Sequence, residues 1–182
     1  MDFREIWEFM NTQAALYVYG ILIFLLFFIH NRLKNGKIKH LMADERFKDA
    51  KLFRSNLTTP VAISSNGYIG VVPSAFSQAI LITIKSVVGY EVFFDGHSIL
   101  KNEASGKKDL VFKDSASLIE SRLQERTKKI VLVFMMKDNY MLNVILFNGS
   151  TRLSSVMRDS TKEAIKELFR TLEELEKDVR MI

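Results

Sequence analysis

Residues able to do chemistry are few in this 182-residue chain and stand apart from one another. A metal site needs several imidazole, thiolate or carboxylate donors converging on one point. The three histidines, His30, His40 and His97, are too scattered in sequence to propose such a site, and there is no cysteine to join them. His30 stands where an interfacial residue snorkels, His40 belongs to a basic segment and His97 follows a turn. A phosphate cradle requires a glycine-rich loop opening a helix, whereas Gly67-x-x-Gly70 is a hairpin feature with no helix after it. No Gly-x-Ser-x-Gly elbow presents a nucleophile. Ser115, Ser117, Ser154 and Ser155 read as loop serines, Asp95 and Asp138 as turn formers, and Glu173 and Glu174 as solvated acids on a helix. The sequence therefore predicts no catalytic residue, metal, cofactor or small-molecule substrate, and points to binding instead of catalysis.

Place is specified far more strongly than activity. Residues 9–30 carry no charge, and as a helix they would reach about 33 Å, the thickness of bilayer hydrocarbon. From Leu16 to Ile29 the only polar side-chain groups are the hydroxyls of Tyr17 and Tyr19, and Leu16, Phe24, Leu26 and Phe28 stand for the membrane-span residues. Trp7 and the two tyrosines suit an interfacial aromatic belt. A cleaved signal peptide would need a basic start, a shorter apolar region and a small-residue cleavage site. This chain begins with Asp2, Glu5 and Glu8 against Arg4, and its apolar run ends in Phe27, Phe28, Ile29 and His30.

Arg32, Lys34, Lys37 and Lys39 follow with no acid among them. Over residues 32–54 eight Lys/Arg stand against three acids. The positive-inside rule then makes residues 1–8 a short extracytoplasmic tail, 9–30 a single transmembrane helix of the cell (inner) membrane, and the rest cytoplasmic. Absence of cysteine agrees with a reducing compartment. The net charge of +5 sits beside the span, because 17 Lys/Arg face 15 Asp/Glu from residue 55 onward. A nucleic-acid partner is not predicted, since counterion release from so balanced a domain would be weak. The basic flank either sets topology or reads anionic lipid headgroups through Arg32, Lys34, Lys37 and Lys39, with Lys107 and Lys108 or Lys128 and Lys129 adding a second contact.

Asn35-Gly36 is a break signal that should end the span's helix. Residues 37–53 then return as an amphipathic basic helix carrying Ile38, Leu41, Met42, Phe47 and Leu52, either lying in the interface or packing on the domain. Residues 31–55 are thus a juxtamembrane helix or linker, closed by Pro60. Residues 56–182 are enough for one domain with a real core.

Within that domain the period changes to two. Residues 61–64 and 68–72 flank Ser65-Asn66-Gly67, a type I′ hairpin signal. Residues 79–84 and 87–94 are two further strands, Asp95-Gly96 turns the chain, and 97–101 pair back. Residues 110–112 read as a weaker strand. The strongest pair, 130–136 and 142–147, is joined by the polar turn Lys137-Asp138-Asn139-Tyr140. Between them, residues 115–126 place Leu118, Ile119 and Leu123 at helical spacing, a short helix or inserted excursion. After residues 148–158 the chain closes with a helix of about 20 residues, in which Ser160 and Glu163 form a capping box. Its apolar stripe is Ile165, Leu168, Phe169, Leu172, Leu175 and Val179, and Glu173 to Lys177 and Glu176 to Arg180 are i,i+4 pairs. The stripe serves the chain's own sheet or, with Ile182, a coiled-coil dimer.

The fold class is α+β: a single transmembrane helix, an antiparallel β-meander forming a bent sheet, and a C-terminal amphipathic helix. With its strands at 61–147, the run AILITIKSVVGYEVFFDGHSILK and the final helix, the chain resembles the bacterial pleckstrin-homology-like domains. That resemblance implies a membrane-tethered domain that binds lipids, peptides or proteins. For a protein partner or self-association the contact candidates are Phe93, Phe94, Met135 and Met136, since aromatic and methionine side chains suit adaptable interfaces. Strand alternation must bury one of each adjacent pair.

Overall fold

The computed structural model describes residues 2–10, 13–54, 59–105, 110–123, 127–149 and 158–180. Its architecture is α+β: an apolar N-terminal helix, two antiparallel sheets and a closing helix. Most of the residues expected to form a short tail lie in a helix, α1 (Phe3–Met10). Next comes α2 (Gln13–Met42), whose large apolar side chains at residues 16–29 are all exposed. Over Ala15–Met42 it is long and apolar enough to cross a membrane.

The helix does not end at Asn35-Gly36. A glycine inside a helix costs about 1 kcal/mol relative to alanine. Against that, Ile38 and Leu41 are buried with Phe47, Ala62 and Val72 in a small core of their own, and fully burying such a side chain stabilises by about 1.5–3 kcal/mol. Packing wins, and α2 runs on into the body. The side chain of Leu41 lies over Gly70, where an added Cβ would come within 2.8 Å of it. Further up the helix, the Lys37 amine donates to the Ser77 carbonyl and His30 meets Phe76 edge-on, ring centroids 5.9 Å apart.

The separate amphipathic helix expected over residues 37–53 is therefore absent. Its first part completes α2. Its middle is a 3-10 turn at Glu45–Phe47, opened by Asp44, whose carboxylate accepts from the Arg46 amide at 3.0 Å. Its end is a strand, β1 (Lys51–Phe53). The packed body thus begins well before residue 56.

The first sheet continues with β2 (Val61–Ile63), β3 (Tyr68–Val71) and β4 (Ile80–Thr83), in the order β1-β2-β3-β4. The second contains β5 (Val87–Phe94), β6 (His97–Glu103), β7 (Lys129–Met136) and β8 (Met141–Asn148), in the order β6-β5-β7-β8. Asp95 (φ 52°) and Gly96 (φ 87°) form the two-residue turn that the Asp-Gly pair predicts. The Asn66-Gly67 hairpin closes differently. Only Gly67 has positive φ, its amide donates to the Ser64 carbonyl at 3.1 Å, and the Ser64 amide donates to Tyr68 at 2.9 Å. This is a type I turn with a glycine bulge. Asn139 (φ 62°) fills the same place between β7 and β8.

The second sheet is not a simple meander, because β7 pairs with β5 and leaves β6 at the edge. The connection carries α3 (Ser115–Arg122), which packs on the final helix, α4 (Arg158–Arg180). Residues 110–112 form no strand. The amides of Val111 and Phe112 instead donate to the two oxygens of Glu176 at 2.8 and 2.5 Å. Phe112 stacks on Tyr90, centroids 4.8 Å apart, and burial pushes the Tyr90 phenol above its ordinary range.

The α4 stripe, from Ile165 to Leu175, is buried in the main core with the inner faces of both sheets. Its own body uses that surface, leaving none of it for a coiled-coil partner. Ser160 lies inside the first turn of α4, two residues after its start, so the helix begins earlier than the capping box implied. Glu176 is wholly buried, 3.1 Å from Arg180, which also donates to the carbonyls of Ile84 and Val87. Glu173 is less solvated than expected, since it accepts from the Asp114 amide at 3.1 Å and sits 3.5 Å from Lys177.

Removing Glu176 strands two buried amides and takes the charge partner from the largely buried Arg180 guanidinium. Glu176→Ala should lower the unfolding free energy of the detergent-solubilised protein by about 3–5 kcal/mol in urea titrations. A loss below about 1 kcal/mol would contradict this role.

Candidate functional site

Strand β4 ends the first sheet: β3 pairs with one side of it and, among the described residues, no strand pairs with the other. A backbone edge left open in this way is a template for another extended chain. Beside it lies a cleft of about 600 Å³ walled by Tyr68, Leu81, Thr83, Met136 and Tyr140, with Arg46 at its rim. Tyr68 comes from β3, while Met136 and Tyr140 flank the turn between β7 and β8. That turn is fixed because the Lys137 amide donates to the Ser86 carbonyl at 3.0 Å, tying the second sheet to the link between β4 and β5. Leu81, Tyr140 and the neighbouring Met141 are exposed apolar side chains.

Arg46 is held by its own turn. Its guanidinium donates to both oxygens of Asp44, at 2.9 and 2.7 Å, and lies 5.8 Å from the centre of the Tyr68 ring. The side-chain hydrogen bond from Arg46, and then the backbone one, push the Asp44 carboxyl down to about 2. The cleft therefore offers unpaired strand backbone, apolar walls, and charged groups of both signs, Arg46 and Lys137 against Asp138. Such a surface suits an extended peptide, whose backbone would pair with β4 and whose side chains would alternate into and out of the cleft.

The residues singled out by sequence do not converge here. Phe94 and Met136 are buried, and Phe93 and Met135 are half-buried on the outer face of the second sheet, so each adjacent pair divides as alternation requires. Phe93 pairs with Val131 and Met135 with Gly89, which places the two outward residues about 13 Å apart along the strands. Only Met136 of the four reaches the cleft. Leu16, Phe24, Leu26 and Phe28 are exposed along α2. Arg32 and Lys39 are exposed, Lys37 is bound to Ser77, and Lys34 lines a second cleft facing the body.

Lys128 and Lys129 are exposed, and their amides donate to Asp95, whose carboxylate closes the turn after β5. The Asp138 carboxylate accepts from the Tyr140 amide. Ser115 is buried, and Ser117 donates to the Asp114 carbonyl. Lys107, Lys108, Ser154, Ser155 and Ile182 lie outside the described residues, and no cluster of three or more metal-ligating side chains occurs among the described ones. Sequence reasoning passed over Arg46, Tyr68, Leu81 and Tyr140. An aromatic residue in a polar turn, at Tyr140, was the one available signal.

Comparison with protein-family models, with curated proteins and with solved structures finds no match to this chain.

Because its carboxyl is depressed in the folded state, Asp44 contributes stability above pH 4, and the contribution is lost as pH falls from its ordinary 3.8 toward 2. A carboxyl-carbon NMR titration should give Asp44 a midpoint near 2, rising toward 3.8 in Arg46→Met. A midpoint near 3.8 in the unaltered protein would show that Asp44 does not hold Arg46.

Proposed function

We propose that this chain is a single-pass membrane-anchored binding module of bacterial type, without catalytic activity, that recruits or regulates a protein partner at the membrane. In this reading α2 crosses the inner membrane with α1 outside, and the two sheets and α4 lie on the cytoplasmic side. The charge asymmetry about the apolar run supports that orientation. The resemblance to pleckstrin-homology-like domains supports binding as the role. The single observation that carries the reading is the open edge of β4 beside an apolar cleft, where a partner segment would add as a further strand. Anchoring raises the effective concentration of the cleft for partners in the same membrane, so a modest intrinsic affinity suffices.

Two experiments test this. A photo-crosslinking residue at Leu81 in the full-length protein should give one defined adduct in cells, absent when it is placed at Lys101 on the opposite sheet and abolished by Thr83→Pro, which removes an amide on the side of β4 away from β3. Adducts of equal yield from both positions, or none at Leu81, would remove the β4 edge as the binding site. For orientation, a cysteine at Asp2 should react with an impermeant maleimide in intact cells, and one at Lys137 only after permeabilisation. The reverse pattern would invert the topology.

A further inference from the structure

The second cleft lies where the inner end of α2 meets the body. Phe27, Asn31, Lys34 and Asn35 fall on one stripe of the helix, and Arg54, next after β1, and Pro60, just before β2, face them. The space between is about 440 Å³, and no aspartate or glutamate is among the described residues that line it. Two cations and two amides therefore converge on one volume. The cleft is also built in advance, because Ile38, Leu41 and the Lys37 bond to Ser77 dock this part of α2 on the body. An anion entering it would not have to order the helical wall.

Depth identifies the ligand. The apolar run ends at Ile29, and at 1.5 Å per residue Asn31, Lys34 and Asn35 lie about 3–9 Å beyond it. If α2 crosses a bilayer as proposed above, that is the headgroup layer, which adds about 5–8 Å on each side of the hydrocarbon. Phe27, at the apolar end of the cleft, belongs to the uncharged run, so a ligand lying along these walls would be polar at one end and apolar at the other. A guanidinium recognises phosphate with two parallel donors and an ammonium as a point charge.

We infer that this cleft binds the phosphate of an anionic phospholipid, held between Lys34 and Arg54, oriented by Asn31 and Asn35, with an acyl chain against Phe27. The inference goes beyond partner binding at β4 and rests on the membrane-spanning reading alone. It also separates the four cations that follow the run. Lys34 lines the cleft, Lys37 is engaged with Ser77, and Arg32 and Lys39 are exposed outside it.

The test uses full-length protein in detergent micelles, titrated with phosphatidylglycerol and followed by native mass spectrometry. One phosphatidylglycerol should be retained per chain, in preference to phosphatidylcholine. Lys34→Gln with Arg54→Gln should weaken retention by about tenfold or more, whereas Arg32→Gln with Lys39→Gln, an equal change of charge beside the same span, should change it less than about twofold. Arg54→Lys keeps the charge and loses the fork, and should cost about threefold, which gives a reading even if the double variant fails to fold.

Equal losses from the two double variants would reduce the effect to diffuse attraction and overturn the site, as would no loss from either. Inorganic phosphate competing as well as phosphatidylglycerol would overturn the lipid assignment. Protein that is released only by detergent yet shows no preference for phosphatidylglycerol removes this inference and leaves the membrane reading standing. Protein found in the soluble fraction without detergent removes both.

Discussion

Leu41 reaches the body across the bare backbone of Gly70, with Phe47 beside it, and a Cβ added at that crossing would have to displace the Leu41 side chain. Ile38 buries itself a turn earlier. Through these two residues an apolar helix that would otherwise trail a flexible tether becomes one piece with the sheets. The Lys37 bond to Ser77 and the contact of His30 with Phe76 extend the same junction toward the apolar run. The orientation of the body relative to that run then follows from packing, and both clefts acquire fixed positions along the helix axis.

At the other end of the body the constraint is polar. Glu176 would be costly inside a core were its oxygens not fully used. They accept from the amides of Val111 and Phe112 and lie 3.1 Å from the Arg180 guanidinium as an ion pair, and Arg180 in turn donates to two carbonyls at the link between the sheets. One ion pair thus fastens α4 to the irregular stretch before α3 and to the corner between β4 and β5. This pins the sheets together where the outer edge of β4 has no strand partner among the described residues, and the turn between β7 and β8, tied to Ser86, supplies the facing wall.

Much of the architecture was legible because it is encoded locally. Twenty-two consecutive residues without a charge, Asp95-Gly96 between alternating runs, and a stripe from Ile165 to Leu175 with Glu176 and Arg180 at i,i+4 each identify an element within one window of sequence. The errors came from distant partners. Gly36 looks like a stop until Leu41 is known to dock on Gly70. Residues 110–112 look like a strand until their amides are found on Glu176, 65 and 64 positions away. Periodicity also cannot tell which strand pairs with which, so it gave a meander where β7 returns to β5 and said nothing of an open edge at β4. For the same reason Arg54, in no conspicuous pattern of its own, could not be joined to Lys34.

A fixed junction between α2 and the body is the claim on which the rest stands, and a distance distribution across it is the most direct measurement. Spin labels at Phe24 in the apolar run and Lys137 on the body, read by pulsed electron resonance in bilayer nanodiscs, should give one narrow distribution that broadens in Leu41→Asp. A distribution already broad in the unaltered protein would mean a flexible tether and would contradict the account.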